Sequence, residues 1–288
     1  MTEPRLQHVS CLDTRGLHRM AYWEWGDAAN PRVLVCVHGL TRQGRDFDTL
    51  AQDLAHDYRV ICPDVVGRGR SDWLVDPAGY AIPAYVADMV TLVARLNVEQ
   101  VDWVGTSMGG LIGLVLASLP NSPVRRLVLN DVGPVIQPAA LVRIGTYVGQ
   151  PAHWQTVDAA ADALWAISQG FGPHTREQWL ALTRPQLKPD GDGWKPHYDP
   201  AIATPFRATT PAMAAAGEAA LWQAYDRITA PTLLLRGAES DLLTHDTALA
   251  MAQRGPRAVL HELPGVGHAP MLVQPEQRAV VRNFLLPT

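Results

Sequence analysis

Short runs of consecutive apolar residues recur along the chain, and segments with helical spacing lie between them. The apolar runs are rich in Val, Leu and Ile and cover residues 33–37, 58–62, 101–104, 127–129, 232–235 and 259–263. A run without polar alternation is typical of a strand that is buried on both faces. The segments with helical spacing cover residues 47–56, 85–96, 108–119, 247–253 and 275–286. This alternation predicts an α/β fold with a mostly parallel central sheet that is flanked by helices.

Two stretches depart from the alternation. The opening stretch, which runs through Trp23 and Trp25 to Gly26, indicates an antiparallel hairpin at the sheet edge. After Asp131 no convincing strand follows until Ala230, so we expect a core of residues 1–133 and 228–288 and a helical cap insertion over 134–227. Within it, the Pro, Gly and Asp-rich residues 188–200 are expected to form a loop. Five tryptophans of the insertion either line a cleft or pack its helices: Trp154, Trp165, Trp179, Trp194 and Trp222.

Charge and composition exclude several classes of protein. Lys and Arg number 24 against 28 Asp and Glu, which leaves no net basic surface for nucleic acid. The longest nearly apolar stretch, 108–119, is too short to span a bilayer. The charged start of the chain does not fit a signal peptide, so we expect a cytoplasmic protein. The cysteines Cys11, Cys36 and Cys62 form no Cys-x-x-Cys pair, and we interpret them as small core residues.

The strongest chemical signal is Ser107, which lies between the predicted strand 101–104 and a helix that begins at Met108. Gly105 and Gly109 flank it at two positions on either side, and they leave room for a strained strand-to-helix turn that exposes the serine hydroxyl. Backbone N–H groups at the start of the helix also point to where negative charge would develop. We therefore predict that Ser107 is a nucleophile.

Four motifs in order carry a resemblance to a known family. They are VCVHGL at residues 35–40, DVVGRGRSD at 64–72, GTSMGG at 105–110 and GVGHAP at 265–270. With these motifs the chain resembles the α/β-hydrolase fold superfamily, in particular its small esterase-like members with a helical cap. The glycine-rich residues 67–71 lack the ending of a phosphate loop and are interpreted as a structural turn.

The resemblance implies a Ser-His-Asp triad. His268 takes the position of the general base, and Asp241, after the strand 232–235, takes the commoner position of the acid. Asp131, after the strand 127–129, stands where some relatives have this acid and stays open as an alternative. The resemblance assigns the oxyanion hole to the backbone N–H groups of Leu40 and Met108.

The implied activity is hydrolysis of carboxylic esters with short or medium acyl chains, or of aryl esters, through an acyl-enzyme. We expect a small-molecule ester as substrate and neither a cofactor nor a metal. A carbon–carbon bond hydrolase or an enol-lactonase could use the same three residues, and a ligand-binding receptor of this fold is the alternative outside enzymes. A serine at position 107 disfavours the relatives that use an aspartate nucleophile. Arg42 either pairs with Asp46 at the surface or meets a substrate carboxylate.

Overall fold

The strands form one large sheet and one small hairpin. A computed structural model describes residues 3–287 of the chain. The strands in this part are β1 (Arg5–Asp13), β2 (Gly16–Trp25), β3 (Val33–Val37), β4 (Arg59–Pro63), β5 (Val101–Thr106), β6 (Val124–Asn130), β7 (Leu187–Asp190), β8 (Gly193–Pro196), β9 (Thr232–Gly237) and β10 (Val259–Leu263). The large sheet has the order β1-β2-β4-β3-β5-β6-β9-β10, and β7 pairs with β8 alone.

Helices connect the strands. In residues 3–287 the α-helices are α1 (Asp48–Leu54), α2 (Ile82–Leu96), α3 (Met108–Ala117), α4 (Pro138–Gly145), α5 (Val157–Ala166), α6 (Arg176–Thr183), α7 (Ala203–Ala208), α8 (Pro211–Arg227), α9 (His245–Gln253) and α10 (Pro275–Leu285). No helix among these described residues is both long and apolar enough to cross a membrane.

The directions of the strands confirm the predicted sheet. From β4 to β10 all neighbouring strands are parallel, whereas β1 pairs with β2 and β2 with β4 in antiparallel register. The expected hairpin therefore lies at the sheet edge. The chain passes from β3 to β4 on one side and then returns to β5 on the other side of β3. Such a reversal opens a crevice at the carboxyl ends of two neighbouring strands, where α/β proteins bind ligands.

Burial explains why the central strands lack polar alternation. All five residues of β3 are buried. Val33, Val35 and Val37 pack in a core that includes Leu92, on α2. Leu34 and Cys36 pack on the opposite face, in a core that includes residues of α1 and α10. A sheet that is covered on both faces requires apolar side chains at odd and even positions alike.

The segment between β6 and β9 contains helices α4 to α8 and, against expectation, the β7–β8 hairpin. The loop that the sequence predicts over residues 188–200 is wrong for most of that stretch. Each strand of the hairpin is only four residues long, and Pro189 and Pro196 stand within them. The hairpin is fixed from outside, because the backbone N–H and C=O groups of Trp154 pair with those of Trp194 on β8. The division into a core and a separate cap stays a prediction.

Candidate active site

Ser107 lies on a sharp turn between β5 and α3, as the glycine pattern predicts. Its φ of 52° is in the left-handed region, which non-glycine residues rarely adopt. The neighbouring glycines make the turn sterically feasible. A Cβ atom on Gly105 would overlap the Gly109 carbonyl group, and one on Gly109 would overlap the Val37 carbonyl oxygen. The turn therefore depends on both glycines, and the strain at Ser107 is held by the packing of β3, β5 and α3.

A continuous chain of hydrogen bonds joins Ser107, His268 and Asp131. The His268 Nε2 atom is 2.9 Å from the Ser107 hydroxyl, and its Nδ1 atom is 2.7 Å from Asp131 Oδ2. Because an ionised carboxylate only accepts hydrogen bonds, Asp131 favours the tautomer in which Nδ1 carries the proton. That tautomer leaves Nε2 free to accept the serine proton.

Two further donors hold the carboxylate of Asp131, which is fully buried. The backbone N–H of Gly237 donates to Oδ1 at 2.8 Å, and the hydroxyl of Ser240 donates to Oδ2 at 2.6 Å. Both donors belong to the end of β9 and the loop that follows it. A buried carboxylate is stabilised in its charged form by such donors, and its oxygen atoms are held in one orientation.

The structure does not place Asp241 beside His268, which corrects the sequence-based choice of the acid. Asp241 instead accepts two hydrogen bonds from Arg143, from Nε at 2.6 Å and from Nη2 at 2.8 Å, and 47% of its side chain is exposed. The loop after β9 turns back at Ser240, whose N–H donates to the Gly237 carbonyl. The position nearest to His268 is occupied by Asp131 and its Ser240 contact, so Asp241 points toward α4.

The loop after β3 brings Leu40 to the same crevice. A Cβ atom on Gly39 would lie 3.8 Å from the Ser107 Cβ atom, which shows how closely this loop passes the serine. Within residues 3–287 the backbone N–H groups of Leu40 and Met108 donate to no protein acceptor. Both N–H groups are therefore available to a ligand, and the oxyanion hole at these residues stays a prediction.

A buried histidine braces this loop. The Nδ1 atom of His38 is 2.7 Å from the Gly39 carbonyl, and its Nε2 accepts from the Val65 N–H at 2.9 Å. Burial is the main cause that lowers the pKa of His38, to about 3, and the nearby guanidinium of Arg68 adds to the effect. His38 is therefore a neutral structural group over the ordinary pH range, and its two bonds require the proton on Nδ1.

Arg68 contacts both Leu40 and Met108, the two residues expected to form the oxyanion hole. The sequence pattern alone indicates only that Arg68 belongs to a structural turn. Its fully buried guanidinium donates to the Leu40 carbonyl at 2.8 Å and lies 3.4 Å from the Met108 sulfur. It also contacts the hydroxyl of Tyr85 at 3.0 Å. Among residues 3–287 no carboxylate forms a salt bridge with it. The sequence signal was present in GRGRSD, but the pattern alone does not show where the side chain points.

The serine and histidine open onto a cavity of about 230 Å³. Its lining is mostly apolar and comes from both the sheet ends and the insertion, and it includes Leu40, Trp154, Leu164, Phe171 and Met271. Of the five tryptophans of the insertion, Trp154 lines this cavity, whereas Trp165 and Trp179 pack edge to face with centroids 5.1 Å apart. A mostly apolar concave site with a few polar groups is typical of a small-molecule binding site.

Arg42 pairs with Asp46, as one of the two sequence interpretations predicts. Its Nε and Nη2 atoms are each 2.7 Å from a carboxylate oxygen. The pair is not at the surface, because only 13% of the Arg42 side chain and 7% of the Asp46 side chain are exposed. Gln186 donates a further bond to Asp46, and Arg42 stacks on Phe171. Both Arg42 and Asp46 line the cavity, so their ion pair forms part of its wall.

A second group of polar side chains lies away from this cavity. Cys11, His18 and Asp88 bring their ligand-type atoms within 4.8 Å of one another, between the β1–β2 hairpin and α2. The His18 Nε2 atom already pairs with Asp88 at 2.9 Å, and burial raises the pKa of the Cys11 thiol to about 12. This bond engages His18 Nε2 and one oxygen of Asp88, whereas the buried His18 Nδ1 atom has no hydrogen-bond partner among the described residues and lies 3.8 Å from Asp13 Oδ2. None of the three residues lines the cavity.

Comparisons with known proteins agree with the fold. The family model of the alpha/beta hydrolase fold matches residues 32–275. A 3-hydroxybutyrate-oligomer hydrolase of Cupriavidus necator is 58% identical over 98% of this chain and 97% of its own. A 2-hydroxymuconate semialdehyde hydrolase of a Pseudomonas species is 29% identical over 82% of this chain and 80% of its own.

Solved structures extend the comparison to the whole fold. An alpha/beta hydrolase from Novosphingobium aromaticivorans superimposes with a TM-score of 0.86 at 37% identity, with 99% of each chain covered. The sheet order, the turn at Ser107 and the family match lead to one conclusion. This chain belongs to the alpha/beta hydrolase fold family, and it is a hydrolase.

Proposed function

We propose that this protein hydrolyses the ester bonds of 3-hydroxybutyrate oligomers with a triad of Ser107, His268 and Asp131. The hydrogen-bonded chain from Asp131 through His268 to Ser107, open to an apolar cavity, is the observation that carries the proposal. The relative from Cupriavidus necator supports the substrate class, because its similarity extends over nearly the whole of both chains.

In the proposed first half-reaction, His268 Nε2 removes the hydroxyl proton of Ser107 while the serine oxygen attacks the ester carbonyl. The negative charge on the carbonyl oxygen is stabilised by the N–H groups of Leu40 and Met108. Asp131 stabilises the imidazolium that forms. The ester C–O bond then breaks, and His268 gives its proton to the departing alcohol, which leaves the acyl group on Ser107.

In the second half-reaction, water replaces the alcohol. His268 removes a proton from this water, and the resulting hydroxide attacks the acyl carbonyl through a second oxyanion. The bond to Ser107 breaks, the serine regains a proton from His268, and the free acid leaves. The sequence of steps needs only the groups described and one water molecule, so the atoms and charges balance.

The shape and polarity of the cavity suit a chain of short hydroxy-acid units. In a 3-hydroxybutyrate oligomer one ester joins each pair of neighbouring units and every unit carries a methyl branch, so most of its surface is apolar. Apolar side chains such as Leu164 and Met271 can bury the methyl branches, while the two backbone donors bind one ester carbonyl at a time. A cavity of about 230 Å³ favours a short oligomer segment over a long polymer chain.

The test is hydrolysis of the dimer and trimer of 3-hydroxybutyrate by the purified protein, measured as released 3-hydroxybutyrate. Ser107→Ala should reduce turnover by a factor of at least about 10³, because the nucleophile is removed. Ser10→Ala, an exposed serine on β1, is the matched control and should leave turnover unchanged. Vinylogous diketones that are cleaved while the oligomers are not would favour carbon–carbon bond hydrolysis and would refute the proposal.

A further inference from the structure

One charged group of the cavity wall has no role in the proposed triad. Arg143, in the last turn of α4, lines the cavity that contains Ser107 and His268. Its side chain is 41% exposed, and its ion pair with Asp241 uses only the edge formed by Nε and Nη2. The outer edge of the guanidinium, formed by Nη1 and Nη2, is not engaged by Asp241. An arginine can bind two carboxylates in this way, one on each edge.

Arg42, which also lines the cavity, is not suited to bind a carboxylate of a ligand. Arg42 is the counter-charge of Asp46, which is buried with 7% of its side chain exposed. Burial is the main cause that raises the pKa of Asp46, so this carboxylate depends on the guanidinium for its charged form. Drawing Arg42 toward a ligand would leave the buried carboxylate of Asp46 unpaired, which is strongly unfavourable. The pair of Arg143 with Asp241 is half exposed, so solvent screens it and its rearrangement is far less costly.

A hydroxyl group lies beside the guanidinium of Arg143. Tyr147 is four residues further along and also lines the cavity. The pKa of the Tyr147 phenol is raised, mainly by burial, so it stays protonated and can donate a hydrogen bond. The positive charge of Arg143 acts on this phenol in the opposite direction, which reflects their proximity. Two donors of different kinds therefore face one part of the cavity.

We propose that Arg143 and Tyr147 form a subsite for the terminal carboxylate of the oligomer. The inference rests on the proposed function, since it assumes that the substrate is a 3-hydroxybutyrate oligomer. Such an oligomer carries one charge only, at its carboxyl end. Arg143 would bind this carboxylate through its outer edge, and the Tyr147 hydroxyl would donate a further bond to it. The unit that carries the carboxylate then leaves as the alcohol product, while the rest of the chain forms the acyl-enzyme on Ser107. The enzyme thus works from the carboxyl end of the oligomer.

The experiment compares the 3-hydroxybutyrate trimer as a free acid with its methyl ester, which lacks the charge. For Arg143→Gln we expect kcat/KM to fall about 10- to 100-fold on the free acid, as for the loss of a charged hydrogen bond. The methyl ester and p-nitrophenyl butyrate should change by less than about threefold, because neither has a carboxylate to bind. Tyr147→Phe should show the same selective loss at a smaller size, about two- to tenfold.

The matched control is Arg176→Gln. Arg176 is exposed to a similar degree and pairs with Asp158 and Asp162, but it does not line the cavity. It should leave both trimer forms unchanged. An equal loss of Arg143→Gln activity on the acid and the methyl ester, or none on the acid, overturns the subsite while the proposed function stands. A wild type that cleaves p-nitrophenyl butyrate but neither trimer form refutes the proposed function and the subsite together.

Discussion

Exchanging each of two aspartates for asparagine separates the carboxylate that lies beside His268 from the one that the sequence favours as the acid. Asp131→Asn keeps the size of the side chain but replaces the carboxylate oxygen that faces His268 Nδ1 at 2.7 Å. If the amide nitrogen turns toward Nδ1, the imidazole must carry its proton on Nε2, where it can no longer accept the Ser107 proton. The single, neutral oxygen of an amide also stabilises an imidazolium less than a carboxylate does. In serine proteases the corresponding exchange lowers kcat by about 10⁴, which is about 5.5 kcal/mol of transition-state free energy.

Asp241→Asn removes a different interaction. The pair of Asp241 with Arg143 has 47% and 41% of its side chains exposed, so solvent screens it. An exposed ion pair contributes about 0–1 kcal/mol to stability, and even if all of this energy acted on the transition state, turnover would change at most about fivefold. The two variants therefore should differ by about three orders of magnitude in kcat, although both remove one negative charge.

The assay is turnover of p-nitrophenyl butyrate at saturating substrate and at a pH where wild type is fully active. Far-UV circular dichroism and thermal unfolding verify that both variants are folded, because Asp131 also accepts from Gly237 and Ser240. If folded Asp131→Asn retained more than a tenth of wild-type kcat, or if Asp241→Asn lost more than a thousandfold, Asp131 would not be the acid that orients His268.

Three further outcomes follow from individual residues. Because burial lowers the pKa of His38 to about 3, the unfolded state takes up a proton near pH 6.5 that the folded state does not. The free energy of unfolding should therefore fall as pH drops, with His38 contributing about 2 kcal/mol of loss between pH 7 and 5. Urea unfolding of wild type and His38→Gln at both pH values measures this, and an equal pH dependence of the two contradicts it. Gly109→Ala should lose activity and stability, because the new Cβ overlaps the Val37 carbonyl, which thermal unfolding and turnover will show. Gly217→Ala on α8, where a Cβ meets no atom within 4 Å, should raise the unfolding free energy by about 0.5–1 kcal/mol, and a decrease would contradict this.

Local sequence patterns predict much of this fold because the central strands and the serine turn depend on local rules. Each apolar run marks a strand, since a strand in a doubly covered sheet buries both faces. The turn at Ser107 follows from the two glycines that flank it, because a larger residue at either position overlaps the backbone. The order of strands β3, β4 and β5 then brings Ser107 and the Leu40 loop to one crevice.

The remaining features depend on contacts between distant parts of the chain. Asp131 and Asp241 both follow strands. Hydrogen bonds from Ser240 and Gly237 hold the carboxylate of Asp131, and these donors lie more than 100 residues from Asp131 in sequence. The β7–β8 hairpin has weak local propensity and relies on the pairing of Trp154 with Trp194. Likewise, Gln186 and Phe171 of the insertion cover the Arg42 pair, so its burial could not be predicted from the four-residue spacing.

The site of covalent labelling by a fluorophosphonate shows whether Ser107 is the activated nucleophile. Such a probe phosphorylates an activated serine with release of fluoride, and peptide mass spectrometry identifies the modified residue. We predict one adduct per chain, on Ser107, with hydrolysis of p-nitrophenyl butyrate lost in proportion to labelling. We also expect much slower labelling of His268→Gln, because Nε2 no longer removes the serine proton. A stoichiometric adduct on another residue, or full activity after complete labelling of Ser107, would contradict Ser107 as the nucleophile.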